Sequence, residues 1–201
     1  MITVIDYGIG NLGSIRNMFK RIGAAAEVTS DLDRIAAAEK ILLPGVGAFD
    51  VAMERINASE LRTVLDRKAL EEKIPILGIC LGMQLLTRGS EEGRSPGLGW
   101  IAAETKRFPA LPGLKVPHMG WNLVRQMRPN PLTADLSSEA RFYFVHSYYV
   151  QADDAGDSIL RAHYGLDFDA AVHRGNIYGA QFHPEKSHRF GMQLLTNFAK
   201  L

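Results

Sequence analysis

The chain has 201 residues, 46% hydrophobic and 22% charged, with 23 basic against 22 acidic side chains and a formal net charge of +1. This mix excludes a disordered or fibrous chain, and the charge balance excludes a net pull toward nucleic acid or membrane, so any partner is read through local shape and chemistry. One hydrophobic core suffices at this length, so we expect a single domain over residues 1–201.

The N-terminus, Met1 to Asp6, carries no basic segment and no cleavable apolar stretch. The longest uncharged run, Ile74 to Thr87, is 14 residues and is broken by Pro75 and glycines, short of the ~20 residues that span a bilayer. We therefore expect a soluble, cytoplasmic protein. Ile2–Ile5 reads as a buried strand before the turn Gly8-Ile9-Gly10-Asn11, and Ile15, Met18, Phe19 and Ile22 recur at helix spacing until Gly23. Strands are expected at Ala26–Thr29, Lys40–Leu43 and Ile76–Ile79. Helices are expected over Leu32–Ala38, from about Leu61 to Lys73, and over Leu81–Arg88. Such alternation implies a mostly parallel sheet covered on both faces.

The second half changes character. Short apolar runs at Trp100–Ala103, Thr105–Phe108, Asn122–Val124, Arg141–Phe144, Ser147–Val150, Ile159–His163, Ala170–His173 and Tyr178–Phe182 are punctuated by Gly, Pro and Asp, as hairpins and antiparallel additions require. Met192, Leu194, Leu195 and Phe198 close the chain with a helix. The expected fold is an α/β three-layer sandwich.

Three segments carry chemistry. Gly78-Ile79-Cys80-Leu81-Gly82 sets the lone cysteine between two glycines where a strand gives way to a helix, the nucleophile-elbow pattern with Cys in place of Ser. A helix N-terminus favours thiolate; the alternative is a core cysteine acting as a small hydrophobe. In Gln181-Phe182-His183-Pro184-Glu185, an extended backbone would point His183 and Glu185 to the same side. A histidine with a carboxylate beside it is the pairing of base and orienting group that activates a thiol, though a surface His–Glu pair reads the same way. Pro44-Gly45-Val46-Gly47-Ala48-Phe49 follows the third strand. Its backbone N–H groups, with that of Leu81, would bind a developing oxyanion. A plain turn is the alternative, and the Lys-Ser/Thr of a phosphate loop is absent.

With these segments in place the chain resembles the class I glutamine amidotransferase family, and more narrowly the family of glutaminase subunits of imidazole glycerol phosphate synthase. Asp6 to Asn11, Ser90 to Gly93, Pro117-His118-Met119-Gly120-Trp121-Asn122, Tyr143 to Tyr148 and Gln181 to Ser187 extend the resemblance from end to end. His188 departs from the small or amide residue usual after Ser187. The resemblance implies Cys80 as nucleophile, His183 as general base and acid, and Glu185 as orienting carboxylate. It also implies an oxyanion hole from the backbone of Val46, Gly47 and Leu81, and a glutamine site lined by Gln84, Glu92, Ser147 and Tyr148. Asn11, Met119, Trp121 and Lys186 match positions that dock the synthase partner, although Trp121 reads equally well as a core aromatic. No chemistry is assigned to His118 or His146. No cofactor and no metal are implied. The resemblance implies hydrolysis of glutamine to glutamate and ammonia, and the implied partner is a TIM-barrel cyclase that combines this ammonia with a ribonucleotide substrate. Rival readings keep the triad with another synthase (anthranilate or pyridoxal phosphate), turn the fold into a silent binding module, or make it a cysteine peptidase or thioesterase. Met119-Gly120-Trp121 argues against the first, and a complete triad against the second.

Overall fold

In the computed structural model, which describes residues 1–201, Ile2–Ile5 forms β1, buried along its whole length. Helix α1 (Leu12–Arg21) follows, with Asn11 Oδ1 capping it by accepting the Ser14 N–H. Next come β2 (Ala26–Thr29), α2 (Leu32–Ala36), β3 (Ile41–Leu43), α3 (Phe49–Asn57), α4 (Leu61–Asp66), β4 (Ile76–Ile79) and α5 (Leu81–Leu85). The second half contributes β5 (Ala103–Arg107), β6 (His118–Leu123), β7 (Arg125–Gln126), β8 (Arg141–His146), β9 (Tyr148–Ala152), β10 (Ser158–His163), β11 (Asp167–Arg174), β12 (Ile177–Ala180) and α6 (His188–Lys200).

The strand order β2-β1-β3-β4-β12 is parallel throughout. Antiparallel pairing then carries the sheet on through β11, β10 and β7, with β9 joining β11 and β5 joining β9. Strands β6 and β8 form a separate ribbon.

Side-chain alternation divides the interior into two cores, one on each face of the sheet. Val4, Leu42, Leu77 and Ile79 pack with Ile15 and Phe19 of α1 and Leu194, Leu195 and Phe198 of α6. Ile5, Ile41, Leu43 and Ile76 pack with Ile35, Phe49, Met53, Ile56, Leu65 and Met83 on the other side. The result is the helix–sheet–helix layering expected of buried parallel strands.

The structure departs from, or refines, the expected elements locally. The run expected as a strand at Trp100–Ala103 enters one only at Ala103. The run and the two residues before it instead close α5: the N–H groups of Leu98, Gly99 and Ile101 donate to the carbonyls of Leu85, Thr87 and Leu86, while Trp100 Nε1–H donates to Asp66 at 2.7 Å. Helix α3 lies in a stretch where the sequence pattern predicts no element. The helix expected from Leu61 to Lys73 is α4 continued by a π-turn at Arg67–Glu71.

The topology fixes where function can sit. Strands β3, β4 and β12 are consecutive parallel neighbours, so the glycine loop after β3, Cys80 after β4 and His183 after β12 leave the sheet at one edge. Carboxyl ends of parallel strands are where open α/β sheets bind ligands.

Candidate active site

Cys80 caps the start of α5 with φ +55° and ψ −110°, a region non-glycine residues rarely occupy and one that recurs at functional sites. Its N–H donates to the Ala180 carbonyl at 2.8 Å, so the last ladder bond between β4 and β12 holds the elbow. The tight turn depends on Gly82: a Cβ there would lie 2.0 Å from the Leu43 carbonyl oxygen, and one on Gly78 would lie 2.5 Å from the Gly82 oxygen. The two glycines let β3, β4 and α5 approach one another within backbone contact.

His183 is pinned by its backbone: its N–H donates to the Tyr143 carbonyl at 2.9 Å, and its carbonyl accepts the Ser187 hydroxyl at 2.6 Å. Glu185 stands in a one-turn 3-10 helix, Pro184–Lys186, opened by proline at its first position. A turn rather than the expected extended backbone thus brings the carboxylate back to the ring. Glu185 Oε1 lies 2.8 Å from His183 Nδ1, and the two side chains are 2% and 4% exposed. The carboxylate accepts, so the proton is on Nδ1, and Nε2 is buried without a hydrogen-bond partner. Burial alone would lower the His183 pKa, but the Cys80 sulfur and then the Glu185 carboxylate outweigh it and raise the value well above an ordinary imidazole. The site therefore favours the imidazolium form of His183.

A cavity of about 360 Å³ opens over this pair, and Val46, Gly47, Leu81, Gln84, Glu92, Ser147 and Tyr148 all line it, together with Lys186. Its size suits a small ligand, since such sites run from about 300 to 1,000 Å³. Gly47 has φ +102°, which a side-chain-bearing residue would not adopt without strain. The Glu92 carboxylate accepts the Phe49 N–H at 3.0 Å, so it caps α3 from outside and ties the glycine loop to the cavity wall. Burial pushes its pKa up, with Asp50 adding to the rise and the Phe49 N–H opposing it. Both N–H groups of the Gln84 amide are taken inside the protein, by the Tyr148 carbonyl at 3.1 Å and Gln181 Oε1 at 3.2 Å. A larger open groove of about 1010 Å³ runs along Asn122–Gln126 and β10, but it holds none of the candidate triad. Chemistry outranks size here.

The four expected docking residues separate. Met119 is 62% and Trp121 45% exposed, which removes the reading of Trp121 as a core aromatic; its ring stacks on His188 at 5.4 Å. Asn11 is occupied as the α1 cap, and Lys186 sits 5.7 Å from the Tyr143 ring centre while also lining the cavity. No cluster of three or more His, Cys, Asp or Glu side chains is arranged to hold a metal ion, and no helix is long and apolar enough to cross a membrane.

The sequence pattern assigns no role to four residues that the structure places at the site. The buried Tyr7 hydroxyl donates to the Pro44 carbonyl at 2.5 Å, bracing the glycine loop. Gln181 Nε2 lies 3.9 Å from Cys80 Sγ. His146 lines the cavity and is bonded to His118 at 2.9 Å. All four fall inside segments that carry the family resemblance, but their side-chain partners are remote in sequence.

The buried histidine pair predicts how the protein responds to acid. Burial lowers His118 to about 4. Burial, with the charges of His118 and His183 and against the Tyr148 carbonyl, lowers His146 to about 3. Both fall below the unfolded value near 6.5, so unfolding takes up protons; their stability is whole above pH 6.5 and is lost as pH falls through about 4 and then about 3. The limiting slope is about 1.4 kcal/mol per pH unit for each histidine. Urea unfolding between pH 7 and 5 should show this loss, and His118→Phe should reduce the slope by about one histidine's share. An unchanged slope in the variant would mean that His118 stays protonated when folded.

A family model, glutamine amidotransferase class-I, matches residues 3–201. The chain is 50% identical over 201 residues to imidazole glycerol phosphate synthase subunit HisH 2 of Pseudomonas aeruginosa, covering 100% of both chains. It is 51% identical over 200 residues to the subunit HisH 2 of Methanococcus maripaludis, covering 100% of this chain and 99% of that one. Among solved structures, a glutamine amidotransferase superposes with TM-score 0.77 at 17% identity over 100% of both chains. A glutamine amidotransferase from Thermotoga maritima superposes with TM-score 0.67 at 17% identity, covering 99% of this chain and 82% of that one. At those identities the two structures speak to the fold alone.

Proposed function

We infer the function from one premise: the chain belongs to the class-I glutamine amidotransferase family, within its imidazole glycerol phosphate synthase HisH subunits. It is the glutamine amidotransferase subunit of that synthase, acting in histidine biosynthesis. We propose Cys80, His183 and Glu185 as its triad. The observation that carries this assignment is one small cavity lined by both the strained Cys80 elbow and His183, whose Nδ1 is paired with Glu185 Oε1 at 2.8 Å.

In this mechanism His183 holds the thiol proton and the Cys80 sulfur attacks the side-chain carboxamide carbon of glutamine. The oxyanion is met by backbone N–H groups from Val46, Gly47 and Leu81. His183 returns the proton to the departing nitrogen, ammonia leaves, and a γ-glutamyl thioester remains on sulfur. Water, deprotonated by His183, then releases glutamate and restores the thiol. Glu92 is the acidic group available for the substrate's ammonium, and Ser147 and Tyr148 form the facing wall.

Ammonia in bulk water near neutral pH is almost wholly protonated and non-nucleophilic, so the reaction is useful only beside its acceptor. The partner in this reading is a TIM-barrel cyclase, seated on the face that bears Met119 and Trp121, with ammonia channelled across a heterodimer. The cyclase turns its ribonucleotide substrate into imidazole glycerol phosphate and aminoimidazole carboxamide ribotide. A free thiol nucleophile suits the reducing cytoplasm, where we place the complex.

The test is glutaminase turnover with and without the cyclase, alongside calorimetric binding of the Trp121→Ala variant. Cyclase should raise turnover, and Trp121→Ala should weaken binding at least about 10-fold, as loss of an interfacial aromatic anchor does, while the free protein melts as wild type does. Undiminished binding would place the docking face elsewhere, and hydrolysis of esters or peptides in preference to glutamine would revive the peptidase or thioesterase reading.

A further inference from the structure

Strand β6 turns Met119, Trp121 and Leu123 outward and leaves His118 buried on its inner face. His118 pairs with His146 across the β6–β8 ladder, and the contacts around the two rings fix every proton. His146 Nδ1 lies 2.7 Å from the Tyr148 carbonyl; a carbonyl only accepts, so the proton is on Nδ1. In a neutral ring, Nε2 is then an acceptor, and His118 Nδ1–H donates to it at 2.9 Å. His118 Nε2 is left to accept, and the Asn122 amide nitrogen stands 3.3 Å away. That nitrogen also donates to the His163 carbonyl at 2.9 Å, so the amide orientation is settled too. A proton added to either ring would set two donors face to face. The His118 ring is held between Phe144 and Tyr164, stacked at 4.9 and 4.0 Å.

The chain of bonds ends at a junction. The Tyr148 carbonyl accepts from His146 on one side and from Gln84 Nε2–H at 3.1 Å on the other, which occupies both lone pairs and fixes the plane of its peptide. Gln84 donates its other proton to Gln181, which reaches the Cys80 sulfur. One backbone oxygen therefore joins the imidazole pair to the wall of the substrate cavity and to the surroundings of the nucleophile.

We propose that His118 and His146 are positioning residues for glutamine: their one-way hydrogen-bond chain from Asn122 holds the Tyr148 carbonyl, and with it the Ser147–Tyr148 wall of the cavity, in the orientation that receives the substrate. This rests on the glutaminase reading above. Neither ring transfers a proton in the reaction; His118 acts through His146, and His146, which itself lines the cavity, acts through the Tyr148 carbonyl. A merely structural pair would affect stability alone, whereas a positioning pair affects the Michaelis constant for glutamine.

The experiment combines a spectrum of the wild-type protein with kinetics of the complex formed with its cyclase. Long-range ¹H–¹⁵N correlation at pH 7 should show both rings neutral and protonated on Nδ1; a proton on Nε2 of either ring would overturn the proposal without any mutant. His118→Phe keeps the aromatic stack but removes the donor to His146, and should raise the glutamine KM about 10-fold, on the order of one buried hydrogen bond, with kcat nearly unchanged. His118→Asn returns an N–H at the Nδ1 position and should restore KM to within about 3-fold of wild type. Tyr164→Leu removes a stacking ring without touching the chain, and should lower the melting temperature while leaving KM alone. A wild-type KM in His118→Phe, or an equal rise in Tyr164→Leu, would overturn the positioning role. Wild-type protein without glutaminase activity would instead overturn the function itself.

Discussion

Cys80→Ala is expected to abolish glutamine-dependent synthesis by the assembled complex while leaving synthesis driven by added ammonium salts within about 2-fold of wild type. Loss of a nucleophile that works as one unit with its base costs on the order of 10⁴- to 10⁶-fold, because no neighbouring group replaces it. The chain contains no second cysteine, and the oxygen-bearing Tyr7 hydroxyl near the loop is buried and committed to the Pro44 carbonyl. The fold should tolerate the change: Cys80 packs in the core on the α1–α6 side of the sheet, and alanine keeps the Cβ already accommodated at φ +55°. Its stability cost should be near that of a small cavity, about 1 kcal/mol. Paired assays with glutamine and with ammonium, plus a thermal melt, check all three points. Loss of ammonium-driven synthesis in a folded, partner-bound variant would contradict the division of labour within the complex.

The second large effect separates the two members of the His183–Glu185 pair. His183→Ala removes the only imidazole bonded to Glu185 and should slow saturated turnover by at least about 10⁴-fold. Glu185→Gln should cost about 10- to 10³-fold, less than the ~10⁴-fold loss seen when the carboxylate of a serine triad is replaced by an amide, because a thiol ionises more readily than a hydroxyl. The amide oxygen can still accept the Nδ1 proton, but it offers no negative charge to the imidazolium. Glu185 Oε2 is buried without a partner, so an NH₂ placed there would lack an acceptor, at a cost of about 1–3 kcal/mol in stability. Glu185→Gln should therefore melt lower than wild type as well as turn over more slowly. Wild-type turnover from this variant would reduce the triad to a Cys–His dyad.

The segments that carry the proposed site are contiguous and so readable in the sequence: the elbow around Cys80, the glycine loop, and His183 with Glu185, although a 3-10 turn rather than extended backbone pairs the last two. Parallel pairing of β3, β4 and β12 then delivered all three to one edge of the sheet. The misses share a different cause. The N-cap of helix α3 is Ala48, which gives no side-chain cap; the Phe49 N–H is met instead by Glu92, 43 residues downstream of it, so no local start signal exists even though Phe49, Ala52, Met53 and Ile56 lie on one buried face. The sequence pattern places a strand only at Asn122–Val124, whereas β6 runs from His118 to Leu123 with Met119, Trp121 and Leu123 turned to solvent, inverting the usual alternation. Trp100 reads as a strand residue until its indole finds Asp66. The His118–His146 pair depends on a ladder 28 residues apart. Tertiary partners decided each of these, and no local pattern encodes them.

The proposed mechanism passes through a γ-glutamyl thioester on Cys80. Rapid acid quenching of the cyclase complex during turnover of carbon-labelled glutamine, followed by digestion and mass mapping, tests it most directly. The prediction is a label on the peptide containing Cys80, stable in acid, released by hydroxylamine, and absent from Cys80→Ala. Label on any other residue, or a complex turning over glutamine at full rate with no trapped adduct and no burst of ammonia ahead of glutamate, would contradict covalent catalysis at Cys80.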